Sequence, residues 1–259
     1  VKLGLLGAGG RMGLAVARVA DERGLAVAAA IDRGDKVGRD LGELAGLGAR
    51  GVRVTDDLDA LASCDAIVDF SLPGAARELF VRAAEWKIPV ATGTTGLDAA
   101  TSDALAKLAD VAPVVAAPNF SQGVTLLFHL AREACTRLGD DFDAEIVELH
   151  HRKKIDAPSG TAVRLAEVVT EARAIGKVLH GRSGEVGART NDELAVLAVR
   201  AGDIVGEHTL FLAGPGERLE LTHRATDRAI FARGAVRAAQ WAVGRAPGRY
   251  GMEDVMGLR

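Results

Sequence analysis

The first half of the chain alternates two kinds of segment, and that alternation limits the fold more than any other feature. Short apolar runs, KLGLL (2–6), LAVAAAI (25–31), CDAIVDF (64–70), IPVAT (88–92) and APVVAAP (112–118), are separated by RMGLAVARVADERG, PGAARELFVRAAEWK and LDAATSDALAKLAD. The runs have the length of buried strands, and the segments between them repeat their apolar residues at helical spacing. Strands of this kind, interleaved with amphipathic helices, build a parallel sheet covered on both faces. Pro73 and Asp98 stand where helix starts belong. After about residue 120 the order changes. SQGVTLLFHLAREACTRLG reads as a helix, FDAEIVELHH (142–151) as an alternating strand, and SGTAVRLAEVVTEARAIG as a second helix. ELAVLAVRAGDIVGEHTLFLAG and ERLELTHRAT read as strands joined through glycine-containing turns. FARGAVRAAQWAVG (231–244) is helical again, and HGRSGEVGART (180–190) is expected to be a mobile loop.

The totals exclude several classes. A chain of 259 residues, 48% hydrophobic and 26% charged, has the composition of a globular protein of one or two domains. A net charge of −3 gives no reason to expect nucleic acid or an anionic membrane as partner. No apolar run approaches the roughly 18 residues of a membrane span. The opening VKLGLLGAGG breaks into glycines too soon for a signal peptide. Cys64 and Cys135 have no ligand-like spacing, which suits a reducing compartment, so a cytoplasmic location is expected.

GAGGRMG (7–13) directly follows the first apolar run and opens a helix. Strict GxGxxG fails because Met12 stands at the third glycine, whereas Gly7, Gly10 and Gly13 fit GxxGxxG. Such a cluster alone is also found in plain turns. Its place after the first strand of a βαβ unit favours a dinucleotide, with the pyrophosphate at the helix N-terminus. Asp32 ends the second run at the distance where an acid accepts from an adenosine ribose, and Arg33 stands where a 2′-phosphate would sit. The alternative for both is a solvated loop. GTTG (93–96) and PNFSQG (118–123) follow the fourth and fifth runs. Either alone is ordinary turn chemistry; at successive strand ends they suit the nicotinamide side of a cleft.

HHRKKIDAPSGTA (150–162) packs two histidines and three cations against a turn. Ser159 is a good N-cap for a helix starting near Gly160, whose exposed amides attract anions. Arg152, Lys153 and Lys154 repel one another unless something negative lies among them. A carboxylate substrate would satisfy them, and so would a bland solvated loop.

ELHHRKKIDAPSGTA resembles the signature of the 4-hydroxy-tetrahydrodipicolinate (dihydrodipicolinate) reductase family. GAGGRMG, GTTG, APNFSQG, VRAGDIVGEHTLFL (199–212) and GERLELTHRATDRAIFARGAVRAA (216–239) also resemble that family's segments, in its order and over nearly the whole chain. The resemblance implies an oxidoreductase of lysine biosynthesis by the diaminopimelate route. It would reduce 4-hydroxy-tetrahydrodipicolinate, a small dicarboxylate, to tetrahydrodipicolinate and water with NADH and/or NADPH. By the same carry-over, His150 is proton donor or acceptor and Lys154 proton donor. His151 contacts substrate, and Gly160 and Thr161 cradle its carboxylate. Gly7, Ala8, Gly9, Gly10, Arg11, Met12, Asp32, Arg33, Gly93, Thr94, Thr95, Ala117, Pro118, Asn119 and Phe120 match its nucleotide contacts. Asp32 is Glu in some members, and Pro118 removes a backbone donor that others keep. The fold implied is α/β. A Rossmann-like parallel-sheet nucleotide domain spans 1–120 and 229–259, and an α+β substrate and oligomerisation domain with an open mixed sheet spans 121–228. Closure about 119–121 and 228–231 and a homotetramer are expected.

Rival chemistries lack their residues. The histidines show no HxH or HxxxH pair, so no metal site is expected. The single tyrosine, Tyr250, is followed four residues on by Asp254 and not by the lysine of a short-chain dehydrogenase. Cys64 and Cys135 fall in segments too apolar for a nucleophile. An NAD(P)-linked amino-acid dehydrogenase and a non-catalytic nucleotide sensor remain the alternatives.

Overall fold

A computed structural model describes residues 1–259 except Ala174. In chain order the first elements are β1 (Lys2–Leu6), α1 (Arg11–Glu22), β2 (Ala26–Ile31), α2 (Leu41–Leu44), β3 (Val54–Thr55) and β4 (Ala66–Asp69). Next come α3 (Pro73–Trp86), β5 (Val90–Thr92), α4 (Ala99–Ala109), β6 (Pro113–Ala116), α5 (Gln122–Leu138) and β7 (Asp143–His150). The remainder is α6 (Gly160–Ala172), β8 (Lys177–Leu179), β9 (Glu193–Arg200), β10 (Gly206–Gly214), β11 (Glu217–Ala225), α7 (Ala229–Ala242), β12 (Gly248–Tyr250) and α8 (Met252–Met256). They form two compact units, Val1–Gln122 with Ala229–Arg259, and Gly123–Arg228.

The first unit holds a seven-stranded parallel sheet in the order β12-β6-β5-β4-β1-β2-β3. The order reverses direction at β1, whose neighbours are β2 and β4, and this switch point is where ligands of such sheets sit. One core, containing Val16, Val19, Ala235, Val236 and Ala239, covers one face of the sheet with α1 and α7. The other, containing Leu79, Phe80, Leu105 and Leu108, covers the opposite face with α3 and α4. Pro73 is the first residue of α3, and Asp98 caps α4 by accepting from the Thr101 amide at 2.8 Å, as the sequence indicated. Three short strands, β3, β8 and β12, went unread because two or three residues carry no periodicity. They exist by pairing: β12, for example, lies beside β6 only through the return of the chain after α7.

The second unit holds a five-stranded mixed sheet, β11-β10-β7-β9-β8. β10 runs antiparallel to β7 and β11, and β9 parallel to β7 and β8. Ala144, Ile146, Glu148 and His150 alternate with half-buried residues along β7 and face the side packed by α5 and α6. Val147, Leu149, Leu197, Val199 and Phe211 point to the opposite face by the same period of two. The loop over 180–190 differs from expectation. Arg182 donates to Glu145 and Glu193, and Arg189 donates to Asp143, Glu145 and three backbone carbonyls, so both ends of the loop are tied to the sheet.

Candidate active site

In the first unit the turn after β1 is built around glycines that cannot be replaced. Gly7 has φ +76°, and a Cβ there would lie 2.6 Å from the Phe70 carbonyl oxygen. A Cβ on Gly13 would run into the Gly7 carbonyl and Ala8, so α1 packs onto its own entry turn only because that atom is missing. The amides of Gly7 and Ala8 both donate to Ile31 O, at 2.9 and 3.0 Å. The amide of Gly10 donates to Gly7 O at 3.1 Å. The turn is therefore closed internally, and Arg11 and Met12 supply the first amides of α1, which helix geometry leaves without intrahelical acceptors. Ala8 points into the core, while Arg11 is exposed and Met12 half-buried.

Asp32 follows β2. Its Oδ2 accepts from the Gly9 amide at 2.6 Å and its Oδ1 from the Arg33 amide at 2.7 Å. Each oxygen keeps a second lone pair for a ligand hydroxyl. Arg33 reaches into solvent, 3.8 Å from Glu78 Oε2. These residues line an open cleft of about 520 Å³ with Gly7, Gly10, Phe70, Ser71 and Leu72. A larger groove of about 810 Å³ lies along α3 and α4, but its Arg82 is already paired with Asp59 and Glu85. The cleft at the strand ends, with glycines open to the backbone and a ribose-type acid, fits a dinucleotide; the groove does not.

The loop after β5 depends on a residue that sequence reading passed over. Asp69, fully buried at the end of β4, accepts from Thr92 Oγ1 at 2.6 Å, Thr94 Oγ1 at 2.8 Å and the Ser71 amide at 2.9 Å. Burial pushes its carboxyl above the ordinary range, against the pull of those donors. Gly93 leaves room for the Phe70 ring, which meets Phe120 edge-on at 5.8 Å. Thr95 is exposed at the tip. In the loop after β6, Ala117 donates to Thr92 O at 3.2 Å, Pro118 is exposed, and Asn119 Oδ1 accepts from the Ser121 amide at 2.8 Å. Phe120 is buried, and its carbonyl abuts Gly234 of α7, where no Cβ fits. Asp69 and Gly234 had no local signal, since a lone acid ending an apolar run and a glycine inside a helix are both common.

In the second unit the basic turn is less starved of anions than its sequence suggests. Lys154 Nζ lies 2.9 Å from Asp156 Oδ1. Arg200 Nη2 donates to the Asp156 carbonyl at 2.7 Å and, with Nη1, grips Glu148 at 2.8 and 2.9 Å. Glu148 meets His150 Nδ1 at 2.5 Å and accepts from the Ser159 amide at 3.1 Å. Ser159 caps α6 through the Ala162 amide, and its hydroxyl lies 2.9 Å from His208 Nε2. The His150 and His208 rings meet edge-on at 5.2 Å. Burial lowers the pKa of His150, an effect opposed by Glu148 and reinforced by Lys154 and Arg200. Burial drives His208 down to about 4.

His150 and Lys154 thus join one polar network with Glu148, Arg200, Ser159 and His208. His151 Nδ1 is buried without a hydrogen-bond partner, and Gly160 opens α6 with nothing over its Cα. Arg152 and Lys153 are exposed. From sequence alone, His208 in a strand-like run reads as structural, and Arg200 before the Gly-Asp turn fits substrate contact, packing or an interface equally well. The register brings them in: Arg200 pairs with His150 across β7–β9, and His208 with Glu148 across β7–β10. Glu148 did carry a signal, two residues before His150 on one strand and so on the same face.

Two family profiles, described as dihydrodipicolinate reductase N-terminus and C-terminus, match residues 1–120 and 123–256. The chain belongs to the dihydrodipicolinate reductase family. The 4-hydroxy-tetrahydrodipicolinate reductase of Geobacter metallireducens is 48% identical over 265 residues, covering all of both chains. That of Halorhodospira halophila is also 48% identical over 265 residues, covering 99% of this chain and 98% of its own. The structure of dipicolinate-bound dihydrodipicolinate reductase from Paenisporosarcina sp. TG-14 is similar with a TM-score of 0.80, at 25% identity and 98% coverage of each chain. An amine dehydrogenase from Mycobacterium smegmatis, at 16% identity and TM-score 0.61 over 98% of this chain and 95% of its own, shares the fold alone. For a dihydrodipicolinate reductase the mixed sheet and the parallel sheet are thus both the expected architecture.

Proposed function

We propose that this chain reduces 4-hydroxy-tetrahydrodipicolinate to tetrahydrodipicolinate and water with NADH or NADPH, in the diaminopimelate route to lysine. The observation that carries the reading is the end-to-end match to reductases of that name, in a chain whose HHRKKIDAPSGTA turn joins a partly buried acid–base network. The glycine turn and the start of α1 receive the pyrophosphate. Asp32 accepts from the ribose, Arg33 meets a 2′-phosphate when there is one, and the loops at 93–95 and 117–120 take the nicotinamide end. The reduced nicotinamide supplies the hydride. His151, Gly160 and Thr161 hold the substrate carboxylates at the start of α6. Lys154 and His150 stabilise the charge that grows toward the ring nitrogen and deliver the proton there.

NADPH or NADH oxidation followed at 340 nm with authentic 4-hydroxy-tetrahydrodipicolinate tests the reading. Turnover supports it. Tight nucleotide binding with no oxidation would leave a sensor instead. Among the described residues no helix is long and apolar enough to cross a membrane. Cys64 and Cys135 are buried and unpaired, which supports a reducing, cytoplasmic setting. The sheet face bearing Val147, Leu149, Leu197, Val199 and Phe211 supports assembly into a tetramer through that face.

A further inference from the structure

Glu148 has no part in the roles carried over from the family, yet it is fully buried among the groups that do. Its Oε1 accepts from Arg200 Nη2 at 2.8 Å and from the Ser159 amide at 3.1 Å. Its Oε2 accepts from Arg200 Nη1 at 2.9 Å and faces His150 Nδ1 at 2.5 Å. A carboxylate offers about four acceptor sites, and all are taken. Three of those sites face donors that cannot accept, and a proton on the fourth, toward His150, would neutralise the carboxylate and leave the partly buried Arg200 guanidinium without its anion. The proton in the contact with His150 therefore resides on Nδ1. We propose that Glu148, clamped by Arg200, is the positioning residue of His150, holding the imidazole as its Nδ1–H tautomer and leaving Nε2 as the atom that exchanges the proton with substrate.

Other observations agree. A Cβ at Gly206 would lie 3.0 Å from His150 Nε2, so the glycine at the start of β10 keeps that nitrogen uncovered. The charged and titratable groups around His150 are Glu148 on its own strand, Lys154 and Asp156 in the following turn, Arg200 on β9 and His208 on β10. Hydrogen bonding and the donor set hold Glu148 ionised, its pKa lowered against the opposing effect of burial. Burial, Lys154 and Arg200 keep His150 neutral at rest, so Nε2 carries a lone pair. The arrangement follows the rule that the partner of one ring nitrogen sets the task of the other.

The inference rests on His150 being the acid–base group, and two measurements separate its failure from failure of that reading. Long-range 1H–15N correlation of the imidazoles, with His150 assigned by its loss in His150→Ala, reports the tautomer without turnover. Wild type should show Nδ1–H, and Glu148→Gln a mixture or Nε2–H; Nε2–H in wild type, or an unchanged tautomer in the variant, overturns the proposal. With 4-hydroxy-tetrahydrodipicolinate and NADPH, Glu148→Gln should lower kcat roughly a hundredfold. Its KM for NADPH should stay within about twofold, and the pH limb governed by His150 should move to lower pH. A loss of thermal stability with kcat and limb unchanged makes Glu148 merely structural and overturns it. If Glu148→Gln does not fold, Arg200→Lys keeps a cation without the fork and should move the same limb upward; a stationary limb overturns the proposal. Absence of turnover in the wild type would remove the reductase reading and leave the tautomer result to decide.

Discussion

His208 Nε2 lies 2.9 Å from Ser159 Oγ, the same oxygen that accepts the Ala162 amide and caps α6. The pair ties β10 to the helix start that is proposed to receive substrate. His208 is 4% exposed and its pKa is driven down to about 4 from 6.5 by burial. The unfolded chain binds this proton below pH 6.5 and the folded chain only near 4. Stability is therefore complete above 6.5 and is lost as pH falls through this window, by on the order of 3 kcal/mol from this one group. Urea midpoints at pH 7.0 and 4.5 should show a clear drop in the wild type and a much smaller one in His208→Gln. Equal drops would remove His208 as the source.

Lys154→Ala and His150→Ala should each lower kcat by about two orders of magnitude or more, the usual cost of losing a general acid or base. Nucleotide affinity, measured by fluorescence titration, should stay within about threefold. Near-wild-type turnover in both variants would overturn the role assignment.

In the proposed reading Asp32 accepts from the adenosine ribose and Arg33 meets a 2′-phosphate, so the enzyme should use both cofactors. Arg33→Ala should lower kcat/KM for NADPH about tenfold, the loss of a charged hydrogen bond, and leave NADH within about threefold. A wild-type preference above about a thousandfold either way contradicts dual use.

Gly206→Ala places a methyl group 3.0 Å from His150 Nε2 in a strand backbone that alanine tolerates. Activity should fall about tenfold while the melting temperature shifts little, because crowding Nε2 hinders proton exchange without disturbing the sheet. A large Tm loss with proportionate activity loss would point to misfolding instead.

Glutamates at Leu197 and Val199 place two charges on the outer face of the mixed sheet. Light scattering should find the wild type tetrameric and the double variant in smaller species, still able to bind NADPH through the other unit. A wild type that is monomeric at micromolar concentration removes the proposed assembly.

Much of the architecture was legible because it rests on local, repeating signals. Strands β1, β2, β4, β5 and β6 and helices α1, α3 and α4 were visible as runs and periods, and the sheet they form follows from right-handed crossovers. The Ser159 and Asp98 caps were readable from their positions. The Gly7 and Gly13 requirements were readable because both lie within one short turn. The glutamate at 148 was in view, but its purpose was not. The loop at 180–190 shows the same limit: its glycines announced irregular backbone, whereas the carboxylates of Asp143, Glu145 and Glu193 that hold Arg182 and Arg189 come mostly from strands far along the chain.

By itself the order of residues determined most of the element types and the glycine turn after β1, because helical period, strand alternation and glycine stereochemistry act between near neighbours; His150 and Lys154 stood out only through the resemblance of their segment to a known family. Only the tertiary structure decided that Arg200 stands beside His150, that His208 stands beside Glu148, and that Asp69 holds the hydroxyls of Thr92 and Thr94. Strand register and sheet order put those groups in contact, and both are set by the packing of distant apolar faces. In that dry setting a carboxylate either finds enough donors or loses its charge, so the partners of Glu148 and Asp69 could be known only once the chain had closed around them.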